Sequence, residues 1–109
     1  MKKTFALVLA AAAVAAAVPV SAQVRSLPPE QGETHLANLR QVTNGGENAE
    51  AYWSLDGKWI TFQSTREGRT CDQQYVMKTD ASALKLISDG RGKTTCGWFF
   101  PGGKRLFFG

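Results

Sequence analysis

The stretch Tyr52–Gln63, with the sequence YWSLDGKWITFQ, decides the fold because its pattern returns 46 positions later as Trp98–Gly109, WFFPGGKRLFFG. A second pair supports the period: Arg40–Gly45, RQVTNG, matches Lys85–Gly90, KLISDG, at a spacing of 45 positions. Self-similarity at such a period is typical of repeat architectures, in which each unit buries its apolar face against a neighbour. The pattern predicts one complete repeat with pieces of two others, at the front of a longer protein.

Each copy of the pattern has a tight turn at its centre. Asp56-Gly57 separates two apolar runs, and Gly102-Gly103 takes the same place in the second copy. Asp-Gly between apolar runs is a strong hairpin signal, because a tight turn of this kind needs positive φ at its central residues. A single Asp without neighbouring ligands is not a calcium loop, so we interpret Asp56 as a turn residue.

Short apolar runs alternate with turn residues along the whole region after Leu39, which predicts an all-β fold. Apolar residues occupy both faces of these runs, which favours sheets covered on both sides. Four short antiparallel strands in a unit of about 45 residues describe a β-propeller blade. A parallel β-helix has shorter repeats, and a β-sandwich would not repeat the hairpin at fixed spacing. The predicted strands are Leu39–Thr43, Ala51–Leu55, Trp59–Ser64, Gln74–Lys78, Leu84–Ser88 and Gly97–Phe100.

Residues 1–22 have the composition of an export signal. Lys2 and Lys3 precede an alanine-rich apolar stretch, and Val20-Ser21-Ala22 offers small residues for cleavage between Ala22 and Gln23. The apolar stretch is shorter than a membrane span and ends at Pro19. We therefore expect a signal-peptide helix that is removed, no stable membrane insertion after cleavage, and a periplasmic protein.

The remaining chain divides into an extended leader, 23–38, and the repeat region, 39–109, truncated at its C-terminus. The formal net charge is +4, but Lys2 and Lys3 account for half of it. The other basic residues are scattered between acids and glycines, whereas nucleic-acid binding needs a clustered basic face. The sequence therefore argues against a nucleic-acid partner.

The repeat region resembles a known family. AYWSLDGKWITFQS, QYVMKTDASALKLIS and WFFPGGKRLFFG are similar to the WD40-like repeat PxWSPDGKxIxFxS…IYVMxxDGSxxxxLT of TolB-like periplasmic β-propellers, components of the Tol biopolymer transport system. Leu55, Ala81 and Gly102 depart from the usual Pro, Gly and Asp of that repeat. The resemblance implies a propeller that is six-bladed when complete, of which this chain holds about one and a half four-stranded blades.

The side chains that could carry catalysis or bind metal are few. His35 is the single histidine, it lies in the polar leader, and no Gly-x-Ser-x-Gly motif occurs. A zinc site would need further His or Cys at ligand spacing. We therefore predict no catalytic residues, no cofactor and no metal, and interpret His35 as a solvated residue.

Two groups of residues could take part in binding but have simpler interpretations. Aromatic residues on the strands could form a carbohydrate platform, yet such residues more often fill the core between blades. They are Trp53, Trp59, Phe62, Tyr75, Trp98, Phe99 and Phe100. Arg66-Glu67-Gly68-Arg69 is a charged loop between strands, and we expect it to be solvated.

Cys71 and Cys96 are the two cysteines of the chain. In an exported protein, two cysteines usually form a disulfide. In an up-and-down blade both would lie at the same face of the propeller, which favours a Cys71–Cys96 bridge if their Cα atoms approach within about 7 Å.

Together these features predict a non-catalytic periplasmic binding module for a protein or a cell-envelope polymer. One alternative is the N-terminal propeller of a prolyl-oligopeptidase-type serine peptidase, since similar repeats occur there. A second alternative is an inactive truncated gene product.

Overall fold

The computed structural model describes residues 24–109, which contain eight β-strands and no helix. The all-β expectation is therefore confirmed for this part of the chain, while the predicted signal peptide and its predicted cleavage site lie outside the described residues. Within residues 24–109 nothing helical is long and apolar enough to cross a membrane. The strands are β1 Arg25–Ser26, β2 Arg40–Gln41, β3 Glu47–Trp53, β4 Trp59–Thr65, β5 Gln73–Lys78, β6 Lys85–Leu86, β7 Trp98–Phe99 and β8 Leu106–Phe107.

A four-stranded antiparallel sheet forms the centre of the molecule, with its strands in the consecutive order β3-β4-β5-β6. Two smaller sheets, β1-β2 and β7-β8, precede and follow it along the chain. In β3 the register shifts between Ala49 and Tyr52, where Glu50 adopts a positive φ of 49°. This bulge lets the β3 strand bend at the edge of the sheet.

The hairpin that the sequence repeats is also repeated in the backbone. In β3-β4 the N–H of Ser54 donates to the Trp59 carbonyl at 2.9 Å, and Trp53 pairs with Ile60. In β7-β8 the N–H of Phe100 donates to the Arg105 carbonyl at 2.9 Å. Phe99 pairs with Leu106 in the same way as Trp53 pairs with Ile60, and each of these residues lies 46 positions after its counterpart. The hairpin geometry therefore recurs at the spacing of the sequence repeat. Turns form at both predicted positions; Gly102 and Gly103 both have the expected positive φ, whereas in the first turn Gly57 has it, at 67°, and Asp56 does not.

The two faces of the central sheet differ in chemistry. Directly opposite residues of an antiparallel pair share a face, so Ile60 lies beside Met77 and Phe62 beside Tyr75 on the same side. These four side chains form the buried apolar core of the described chain. Val42, Leu84 and Leu86 pack against its rim. We call this side the apolar face.

The opposite side, the polar face, is also buried but is lined by hydrogen-bonding groups. Thr61 and Gln74 are fully buried there, and Gln74 Nε2 donates to Thr61 Oγ1 at 2.6 Å. The segment before β7 covers this face, since the N–H of Cys96 donates to Gln63 Oε1 at 3.2 Å and Gly97 lies against the Gln74 amide. The expectation of a sheet covered on both sides holds for β4 and β5, but the second cover is polar.

The leader contributes a strand that the sequence pattern did not predict. Arg25 pairs with Gln41, Ser26 pairs with Arg40, and the N–H of Leu27 donates to the Leu39 carbonyl at 3.0 Å. The leader after it contains Pro28-Pro29, which cannot continue a ladder because proline has no N–H to donate. This explains why the strand is only two residues long.

Candidate functional site at the loop end of the central sheet

Three segments adjoining the strands of the central sheet meet at one end, which we call the loop end. They are residues 42–46 before β3, 66–72 between β4 and β5, and 87–97 after β6. Gly46 permits their close approach, because a Cβ at this position would lie 2.6 Å from the Thr65 carbonyl oxygen. The β3-β4 turn, residues 54–58, and the β5-β6 connection, residues 79–84, lie at the opposite end. The site therefore consists of loops held on a rigid sheet, an arrangement that often carries binding functions.

Arg66 joins two of these loops and closes the apolar core. Its Nη2 donates to Asn48 Oδ1 at 2.6 Å and to the Gly45 carbonyl at 3.1 Å. Its guanidinium carbon lies 5.2 Å from the ring centroid of Phe62 and 5.4 Å from that of Tyr75, within the range of a cation–π contact. The expectation that Arg66 is a solvated side chain is wrong: the Arg66 clamp, formed by these contacts, fixes the loop end.

The rest of the charged loop is tied to the sheet through the Tyr75 hydroxyl. Arg69 Nε donates to this hydroxyl at 3.2 Å, and the hydroxyl donates to Glu67 Oε2 at 3.3 Å. Arg69 and Glu67 also form an ion pair at 3.7 Å. Since Tyr75 is fully buried, the loop has a fixed position relative to the core.

Two open clefts flank this loop. The larger, about 540 Å³, lies between the 42–46 and 66–69 segments and contains Asn44, Arg66, Arg69 and the half-buried side chain of Leu84. The smaller, about 350 Å³, lies on the other side of the loop and reaches Gly90 and Gly92. Both combine charged groups with apolar or backbone surface.

The predicted disulfide is not supported. Cys71 and Cys96 are both exposed free thiols at the loop end. Polar contacts rather than a covalent bond connect their segments: Gln63 Nε2 donates to Asp72 Oδ2 at 3.2 Å while Gln63 Oε1 accepts from the Cys96 N–H. Sequence reasoning missed Gln63, because nothing in the local pattern distinguishes a bridging glutamine from a solvated one.

The aromatic residues divide into two groups. Phe62 and Tyr75 are buried, as expected. Trp53 is 62% exposed and Phe100 38% exposed, so the expectation that they fill the core is wrong for these residues within the described chain. Trp98, 46% exposed, stacks on Tyr52 with the ring centroids 4.1 Å apart. The β7-β8 hairpin forms a sheet of only two strands, which leaves its aromatic surface partly uncovered. Trp59 and Phe99 are half-buried.

The remaining polar candidates have structural roles or lie apart from the loop end. Asp56 Oδ1 accepts from the Ser54 hydroxyl at 2.7 Å and from the Lys58 N–H at 3.1 Å, and these bonds lower the pKa of Asp56, the Ser54 bond most. His35 is exposed in the leader. Among residues 24–109 no group of three or more His, Cys, Asp or Glu side chains is placed to hold a metal ion.

The function of this chain is inferred from the geometry of the loop end. No protein-family model matches the chain, and neither the curated proteins nor the solved structures include a significant match to it.

Proposed function

We propose that this chain is part of a non-catalytic, TolB-like β-propeller that is exported to the periplasm and binds a protein or a cell-envelope polymer through its loop end. The observation that carries the proposal is the pair of clefts beside a charged loop whose position is fixed by the Arg66 clamp and by Tyr75. A fixed loop loses little conformational entropy when a partner binds, which favours affinity.

The propeller part of the proposal is supported by repetition. The central sheet has four consecutive antiparallel strands, and the hairpin of the next unit recurs with the same hydrogen bonds. Segments before and after the sheet cover opposite faces of it, as neighbouring blades would. The peptidase alternative rests on the sequence resemblance alone.

Binding at the loop end can be tested by photo-crosslinking of the exported chain in living cells. A loop variant, Glu67→Lys, reverses one exposed charge at the clefts, and Lys104→Glu reverses an exposed charge in the β7-β8 turn, which lines neither cleft. We expect the loop variant to lose the crosslinks of the parent chain and the turn variant to keep them. An equal loss of crosslinks in both variants would contradict the proposal. So would a parent chain that forms no crosslink to any partner and is not retained on purified envelope polymer.

The export part is tested separately by cell fractionation and N-terminal sequencing. We expect a periplasmic species that begins at Gln23. A mature species that retains Met1 would show that residues 1–22 are not a cleaved signal.

A further inference from the structure

The dipeptide Asn44-Gly45 at the loop end is exposed, and neither its side-chain amide nor the following N–H is hydrogen-bonded in the described chain. Both residues are exposed, Gly45 has a φ of 73°, and no heavy atom lies within 4 Å of the place that a Cβ of Gly45 would take. Within residues 24–109 no hydrogen bond holds either the side-chain amide of Asn44 or the N–H of Gly45. The nitrogen of Gly45 can therefore approach the side chain before it without steric hindrance.

Related positions in the same chain are held closed. Asn48 Nδ2 donates to the carbonyls of Gly45 and Gly46, and its Oδ1 accepts from Arg66. In Asp56-Gly57 the N–H of Gly57 donates to the Ser54 carbonyl at 2.9 Å, and the Asp56 carboxylate accepts two hydrogen bonds. The contacts hold the Asn48 side chain and, in Asp56-Gly57, both the carboxylate and the following N–H, so Asn48 is an internal control for deamidation and Asp56 for isoaspartate formation.

We propose that Asn44 is a site of spontaneous deamidation, at which the chain modifies its own loop end. The Gly45 nitrogen loses its proton to solvent and attacks Asn44 Cγ; the Cγ–Nδ2 bond breaks and ammonia leaves, closing a succinimide ring. Water then opens the ring at either carbonyl and gives aspartate or isoaspartate. Water is the only co-reactant and no group changes its oxidation state. Asparagine is among the residues that limit the chemical lifetime of proteins.

The modification changes the candidate binding site. Asn44 borders the larger cleft, so either product places a carboxylate in the space shared with Arg66 and Arg69. Isoaspartate also lengthens the main chain just before Gly45, whose carbonyl accepts from Arg66 and from Asn48. The lengthened main chain displaces this carbonyl and weakens the Arg66 clamp.

Peptide mapping tests the reaction. Trypsin releases Gln41–Lys58, which contains Asn44 and both internal controls in one fragment. After incubation of the folded chain at mildly alkaline pH, we expect the mass gain of amide-to-acid conversion at Asn44, with isoaspartate detected by its methyltransferase. The rate should lie within about threefold of that in the isolated peptide 41–58, because in the described chain neither the Asn44 side-chain amide nor the Gly45 N–H has a hydrogen bond that must open first. An unmodified Asn44, a much slower rate than in the peptide, or equal conversion at Asn48 would overturn the proposal.

Hydrogen exchange tests the effect on the clamp. Aged parent chain should exchange faster than fresh chain in the segment 62–69. The Asn44→Ser variant cannot form the succinimide and should show no change after the same incubation. Asn44→Asp supplies the charge without the longer main chain, and exchange in this variant should match the fresh parent. Unchanged exchange in aged, isoaspartate-containing chain would show that the clamp does not depend on the Gly45 carbonyl.

Discussion

Gly97 is the position at which a single added methyl group should separate the covering segment from the central sheet. It is buried, and a Cβ built there would lie 2.5 Å from Cδ of Gln74. Gln74 is itself fully buried and bonded to Thr61 Oγ1, so it cannot move aside cheaply. Gly97 does not have a positive φ, so the effect of Gly97→Ala is steric and not a backbone strain.

Overpacking of this kind costs about 1–3 kcal/mol. For a domain of this size, a loss of about 2 kcal/mol lowers Tm by about 10 °C. Urea and thermal denaturation followed by tryptophan fluorescence measure the effect directly, since Trp98 follows Gly97 and stacks on Tyr52. Gly109→Ala is the matched control: the nearest atom to its added Cβ is Thr95 Oγ1, at 3.8 Å.

A double-mutant cycle identifies the cause. In a Gln74→Ala background the added methyl of Gly97→Ala gains space, and its cost should fall below about 0.5 kcal/mol, which gives a coupling energy of about 1.5 kcal/mol. Additive effects of the two substitutions would refute the reasoning, because they would mean that Gly97 and Gln74 do not meet. Equal destabilisation by Gly109→Ala would refute it as well.

Three further predictions concern the loop end and the first turn. Arg66→Ala should lower the free energy of unfolding by about 2 kcal/mol, because it removes charged hydrogen bonds and a cation–π contact made by a half-buried side chain. Urea denaturation measures this change. Arg91 is exposed, so the control variant Arg91→Ala should leave the free energy of unfolding nearly unchanged. Cys71 and Cys96 should both react with iodoacetamide in the folded chain without reductant, and intact-mass measurement will show two added labels. A mass that corresponds to an unlabelled, oxidised pair would restore the disulfide prediction. The Ser54 hydroxyl and the Lys58 N–H lower the pKa of Asp56 in the folded state. The Asp56 carboxylate should therefore stabilise the fold at pH values above its unfolded-state pKa, and this stabilisation should be lost as the pH falls through its folded-state pKa. Denaturation as a function of pH should therefore show a smaller acid-side loss in Asp56→Ala, and an unchanged profile would exclude this role.

The sequence was sufficient to predict the hairpins, because their determinants are local. Asp56-Gly57 and the apolar runs around it specify a turn without reference to the rest of the chain, and the structure contains that turn. The strand pairing of β4 with β5 also follows from short apolar runs that are close in sequence. For such features, pattern and propensity point to the same structure.

The features that were missed depend on contacts between distant residues. The Arg66 clamp joins residues separated by 18 and 21 positions, and nothing in the charged run itself distinguishes Arg66 from a solvated arginine. The polar face was missed because Gln63 and Gln74 interrupt apolar strands without any periodic signal. The exposure of Trp53 could not be predicted either, since it depends on what lies beside the edge strand β3.

The contrast between the two faces of the central sheet has a consequence for the order of folding. The apolar core is built from residues 60–77, which are close in sequence, so its contacts close short loops and can form early. The cover of the polar face must exchange a bond to water for the bond from the Cys96 N–H to Gln63 Oε1 and must seat Gly97 against the Gln74 amide, and it gains little until both are correctly aligned. We therefore expect the segment that follows the central sheet to dock late and in a single register, because one placement brings the Cys96 N–H to Gln63 and Gly97 to Gln74 together.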